Sequence, residues 1–113
     1  MVAQGCSREP RRRLFERESR VDPTHYALLE ERFLRLLPAV LPVMIPSERA
    51  FTQFYFDAGE YGLALETVVD NLLRETAPVT DDTYQEIAAL SALMPGVVDE
   101  QLEAIRALCQ PAN

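Results

Sequence analysis

The sequence holds no lysine: all eleven basic residues are arginine. That bias is the kind a GC-rich genome produces, and it is given no functional weight. One histidine, His25, and two cysteines near opposite ends, Cys6 and Cys109, are too few and too scattered to assemble a zinc site from its usual ligands. Two distant thiols also make no disulfide framework, and both read as free thiols in a reducing cytoplasm. The four glycines (Gly5, Gly59, Gly62, Gly96) are dispersed, which excludes a glycine-rich phosphate loop. No Asp-x-Asp-x-Asp-Gly run is present, so a calcium loop is excluded too. No apolar stretch approaches the roughly 18–20 residues that span a bilayer. The longest, Leu36 to Pro46, is broken by Pro38, Pro42 and Pro46. No apolar stretch precedes Cys6, so a lipoprotein signal is not expected. Sustained alternation, hairpin dipeptides such as Asn-Gly, and repeats are all lacking, which disfavours β-structure and solenoids.

What is present is acid. Eighteen Asp and Glu face eleven Arg over 113 residues, a formal net charge of -7. The charge is unevenly placed. Residues 1–20 carry six arginines and three glutamates, whereas residues 47–113 carry twelve acids against Arg49, Arg74 and Arg106. Residues 1–20 lack periodicity and read as a disordered, arginine-rich arm. Residues 21–113 read as one domain. Its field repels nucleic acid and anionic membrane and favours encounter with a basic protein. The Arg11-Arg12-Arg13 run is the one segment suited to RNA, and the acidic body behind it argues against nucleic acid as a partner.

The apolar pattern is helical throughout. A first helix is expected to open at Asp22-Pro23, with aspartate as cap. Its stripe is Tyr26, Leu29, Phe33, Leu36 and Leu37, and Pro38 is expected to end it. Ser47 is the expected cap of a second helix of about three turns carrying Phe51, Phe54 and Tyr55, closed by Gly59 in the left-handed region. Tyr61 to Thr76 is the clearest amphipathic segment. Tyr61, Leu65, Val68, Val69 and Leu72 line one face, and Glu66, Asp70, Asn71, Arg74 and Glu75 the other. Thr80, Asp81 and Asp82 offer caps to a fourth helix with the stripe Tyr84, Ile87, Leu90 and Met94. Val98, Leu102, Ile105 and Leu108 mark a fifth. The expected fold is all-α, a compact bundle of four or five short helices.

Catalytic constellations are missing from this pattern. Neither thiol has a local context that would pair it with His25 as nucleophile and base. Glu66 with Asp70, and Asp82 with Glu86, are carboxylate pairs four apart. They fall among polar positions, whereas acid–base chemistry needs partial burial to separate two pKa values. The expectation is a protein that binds without catalysing and needs no cofactor. The acids make better sense as an interface: Asp57 and Glu60 bracket Gly59, Glu66 and Asp70 follow along the next helix, and Asp81, Asp82 and Glu86 open the fourth. If the third and fourth helices pack antiparallel, Glu66, Asp70 and Glu86 share one surface. Tyr61 and Tyr84 then lie nearby as anchors for an arginine- or lysine-lined partner groove. The competing reading makes both tyrosines core residues.

Residues 56–94, FDAGEYGLALETVVDNLLRETAPVTDDTYQEIAALSALM, resemble bacterial immunity proteins of the MafI type, which accompany polymorphic and contact-dependent growth inhibition toxins. The positions that carry the resemblance are Asp57, Gly59, Glu60, Tyr61, Ala64, Leu65, Glu66, Pro78, Thr80, Tyr84, Ile87 and Met94. The arginine-rich arm and the all-aliphatic last helix depart from the family pattern. The resemblance implies a helical immunity domain that meets a cognate toxin domain in the cytoplasm and occludes its active or substrate-binding site. Where the toxin is a basic nuclease, carboxylates stand in for phosphates. A regulatory adaptor or a phage-encoded inhibitor is the alternative within the binding class, and a small acid–base enzyme lies outside it.

Overall fold

In the first helix, apolar side chains recur every third or fourth residue, and in the computed structural model they are the spine of the core. The structure describes residues 23–109; the arm, Cys6 and the expected cap Asp22 lie outside this range. Helix α1 is Pro23–Val40, with Leu29, Phe33, Leu36, Leu37 and Val40 buried. The expectation that Pro38 stops it is overturned, since the helix continues two residues further. A proline inside a helix costs about 3 kcal/mol. Burying Leu37 and Val40 returns about 1.5–3 kcal/mol each, and the Pro38 ring itself stays exposed. Leu41–Val43, with Pro42, then form a 3-10 turn.

Helix α2 is Pro46–Asp57. Its cap is Ile45 rather than Ser47, because Pro46, which has no N–H to satisfy, takes the first helical position. The Ile45 N–H instead donates to Asn71 Oδ1 on the next helix, at 3.3 Å. Gly59 closes α2 at φ +78, and Glu60 N–H reaches Tyr55 O at 2.8 Å while Gly59 N–H reaches Phe56 O at 3.0 Å. This is the paired-bond stop that glycine permits.

Helix α3 is Tyr61–Arg74 and buries Ala64, Leu65, Val68, Val69, Leu72 and also Asn71. Asn71 was expected on the polar face; it is fully buried because its carboxamide caps α2. The same paired-bond stop recurs after Arg74, with Ala77 N–H on Leu72 O and Thr76 N–H on Leu73 O. Here the left-handed position is held by Thr76 at φ 45, a conformation that β-branched residues adopt only under strain.

Helix α4, Asp81–Leu93, is capped by Thr80, whose Oγ1 accepts from Thr83 N–H. It buries Ile87 and Leu90 and leaves Tyr84 and Met94 half-buried. Helix α5, Asp99–Ala107, buries Ile105. Val98, expected in its stripe, is 55% exposed because it is the cap residue, its N–H donating to Gln101 Oε1.

The five helices form an all-α bundle with no sheet among the described residues; one isolated bridge joins Val79 to Cys109. Helix α2 lies on α3, α1 lies on α4, and α5 touches both α3 and α4. Helices α3 and α4 therefore do not pair along their lengths, contrary to what their short connection suggests.

One core position invites a test. Thr52 is completely buried at the α2–α3 seam, and its hydroxyl has no hydrogen-bond partner among the described residues. Valine has the same shape without the stranded polar atom. Thr52→Val is expected to stabilise the fold by about 1–2 kcal/mol. In thermal unfolding this reads as a midpoint raised by at least about 4 °C; an unchanged or lower midpoint would show that the hydroxyl is satisfied.

Candidate functional site

Charge in this bundle is sorted by role. Residues 23–109 carry fourteen acids and five arginines, a formal balance of -9, and each arginine is committed inside the molecule. Arg32 and Arg35 of α1 reach Glu86 of α4 at 3.1 and 3.7 Å, and Arg35 also holds Glu31 at 3.0 Å. Arg74 holds Asp70 at 2.9 Å and Glu48 at 3.6 Å. Arg49 donates to the Met44 carbonyl, and Arg106 lies 5.0 Å from the Tyr84 ring centroid. Four acids thus take part in these ion pairs, and the other ten have none among the described residues. They include Glu60, Glu66, Asp81 and Asp82.

The acids expected to form one interface are dispersed over several places. Glu60, Tyr61 and Glu66 come together in a cleft of about 570 Å³ between the first turn of α1, the start of α3 and the end of α4. His25, Tyr26, Leu93 and Met94 complete its walls. Asp57 is exposed at the end of α2, accepting from Gln53 Nε2 at 2.9 Å. Asp70 is exposed but already neutralised by Arg74. Asp81 and Asp82 are exposed in the first turn of α4, where carboxylates complement the helix dipole. Asp82 and Glu86 border a smaller hollow with Arg35. Glu86 is half-buried in its bridge to α1, whereas Glu66 and Asp70 are exposed on α3.

Tyr61 and Tyr84 both lie between the core and the surface. Tyr84 is half-buried beneath Arg106. Tyr61 is half-buried on an aromatic floor, its centroid 5.7 Å from Phe33 and 5.5 Å from Phe56, with Tyr26 at 6.2 Å on the cleft side. Partial burial, followed by the charge of Glu30 and the neighbouring Tyr26, raises the Tyr61 phenol above the ordinary tyrosine value. It remains a neutral hydrogen-bonding group at pH 7.

Gly96 shapes the cleft from outside. It sits at φ +123, and a Cβ at this position would collide with the Glu66 carboxylate. Gly96→Ala is expected to destabilise the fold by about 1–3 kcal/mol, measured by urea unfolding. Adding Glu66→Ala should recover only the steric part, because the backbone strain remains; full recovery would show that the backbone relaxes.

Two features escaped the sequence. Tyr26 and Met94 fall in expected core stripes yet line the cleft, because each stands at the end of its helix, where the bundle no longer covers it. The stripe on α2 faces outward: Phe51 is 52% and Phe54 65% exposed, and the residue that α2 fully buries is Thr52. An apolar stripe reports a face, and the face opposite Phe51 and Phe54 happens to be the one that packs.

Among the described residues no three His, Cys, Asp or Glu side chains converge as metal ligands. Among the same residues no helix is long and apolar enough to cross a membrane. Chemically, the cleft offers aromatic faces and unneutralised carboxylates, which attract a cation. Comparison with protein-family models, curated proteins and solved structures finds no match to this chain.

Proposed function

We propose that this chain is an immunity protein of the MafI type, which binds a cognate basic toxin domain in the cytoplasm and neutralises it by occlusion. One observation carries the reading: all five arginines of the described body are committed to internal contacts, and ten acids are left without an ion pair. A surface so arranged attracts a basic protein over its whole extent and presents carboxylates where a nuclease expects phosphates. Inhibition by occlusion requires only that the complex outlive substrate encounter. The toxin is expected in the reading frame immediately upstream, in its variable C-terminal domain.

The test is binding of that purified domain to the full chain at several salt concentrations. Association is expected to slow by about tenfold or more as salt rises from low to well above physiological ionic strength. Absence of a complex at micromolar concentrations would remove the immunity reading. A regulatory adaptor or phage-encoded inhibitor is the second reading, favoured by the outward aromatic face of α2 at Phe51 and Phe54, since exposed aromatics mark protein interfaces.

A further inference from the structure

We infer that the cleft at Tyr26, Glu60, Tyr61 and Glu66 is the seat of one arginine side chain of the protein partner, its guanidinium lying on the tyrosines and hydrogen-bonded by the two glutamates. The inference rests on the proposal that this chain works by binding a basic protein, and it names the contact.

The argument starts from the walls. Tyr26, Leu29, Tyr61, Leu93 and Met94 supply apolar and aromatic surface, which welcomes a weakly hydrated planar cation and penalises a compact, strongly hydrated ammonium. Glu60 and Glu66 border the same space, and neither has an ion pair among the described residues. The cleft is therefore anionic and aromatic at once, the pairing that favours arginine over lysine. None of the five described arginines serves it, since each is engaged elsewhere. The molecule already uses this chemistry internally, where Arg106 stands 5.0 Å over Tyr84. Tyr61 is held in position by stacking on buried Phe33, and Gly96 leaves room beside it for the Glu66 carboxylate.

The experiment is an NMR titration of the full chain with the blocked peptide acetyl-Gly-Arg-Gly-amide and its lysine counterpart. Amide shifts are expected at Tyr26, Glu60 to Glu66, Leu93 and Met94, with the arginine peptide binding about threefold or more tightly than the lysine peptide. Tyr26→Ala, at a 42% exposed position, should abolish the preference, and Tyr26→Phe should retain it. Glu60→Gln with Glu66→Gln should weaken both peptides about tenfold. Shifts spread over the acidic surface, or equal affinity for both peptides, would overturn the inference. So would cleft resonances that move in the Arg11→Gln, Arg12→Gln, Arg13→Gln variant before peptide is added, which would hand the cleft to the chain's own N-terminal segment. Concentration-dependent cleft shifts would hand it to a second copy. If the upstream toxin domain binds Tyr26→Ala as tightly as the parent, this inference falls while the immunity proposal stands. If the peptides behave as expected and the toxin does not bind, the reverse holds.

Discussion

Phe33→Ala is expected to remove about 3–5 kcal/mol of folding stability, the largest loss of any single substitution considered. Phe33 is completely buried in the middle of α1, with Phe56 at 5.6 Å and Tyr61 at 5.7 Å between ring centroids. Removing the ring deletes its apolar burial and leaves a cavity that three separate helices would have to collapse around. A domain of this size has only about 4–13 kcal/mol in total, so the variant should lose a large share of its stability. Urea unfolding followed by circular dichroism measures this directly. Phe33→Leu, which keeps most of the volume, should lose much less. The same ring is the floor beneath Tyr61, so the alanine variant should also lose the arginine-over-lysine preference of the cleft under conditions where it remains folded. A loss below about 1 kcal/mol would contradict a well-packed aromatic cluster at this point.

The second large effect concerns association. Replacing Glu60 and Glu66 with arginine reverses two carboxylates that share one cleft and have no ion pair among the described residues. The formal balance of the described body moves from -9 to about -5. Association with a basic toxin domain should slow by at least about tenfold, and its dependence on salt should become shallower. Both positions tolerate the change structurally, being exposed. Asp70→Arg is the informative contrast. Asp70 is neutralised by Arg74 at 2.9 Å, so its reversal adds a local repulsion on α3 and should alter association much less. Equal effects of Asp70→Arg and of Glu66→Arg alone, which change the balance by the same amount, would mean that only total charge matters and that no particular place on the surface is the docking point. Stopped-flow fluorescence at two ionic strengths distinguishes the outcomes.

The fold was readable from sequence where one face of a helix does one job. The stripe of α3 and the glycine stop after α2 were expected and are found. The reading failed where a polar residue serves another element. Asn71 has the spacing of an exposed residue, and nothing local shows that its carboxamide holds the Ile45 N–H 26 positions away. Pro38 and Val98 fail in opposite directions. A local stop signal at Pro38 is overridden by burial of Leu37 and Val40, and an apolar residue at Val98 is turned outward by its place at a helix start. For the candidate site, the residue types were visible and their grouping was not. Which carboxylates remain unneutralised depends on which helices meet, and α1 with its Arg32 and Arg35 lies against α4 rather than in solvent. The pairing of Tyr26 with Tyr61, 35 residues apart in the sequence, follows from the same packing.

The commitment of every described arginine to an internal contact has a consequence for how this lineage can change. Arginines that clamp helices together are held in place by the cost of losing them. The acids without ion pairs carry no such obligation, and substitution at exposed positions of that kind usually alters stability by no more than about 0.5 kcal/mol. Mutations at Glu60 or Glu66 can therefore accumulate and be screened by selection on recognition alone. A scaffold divided in this way can change what it recognises while its architecture stays constant.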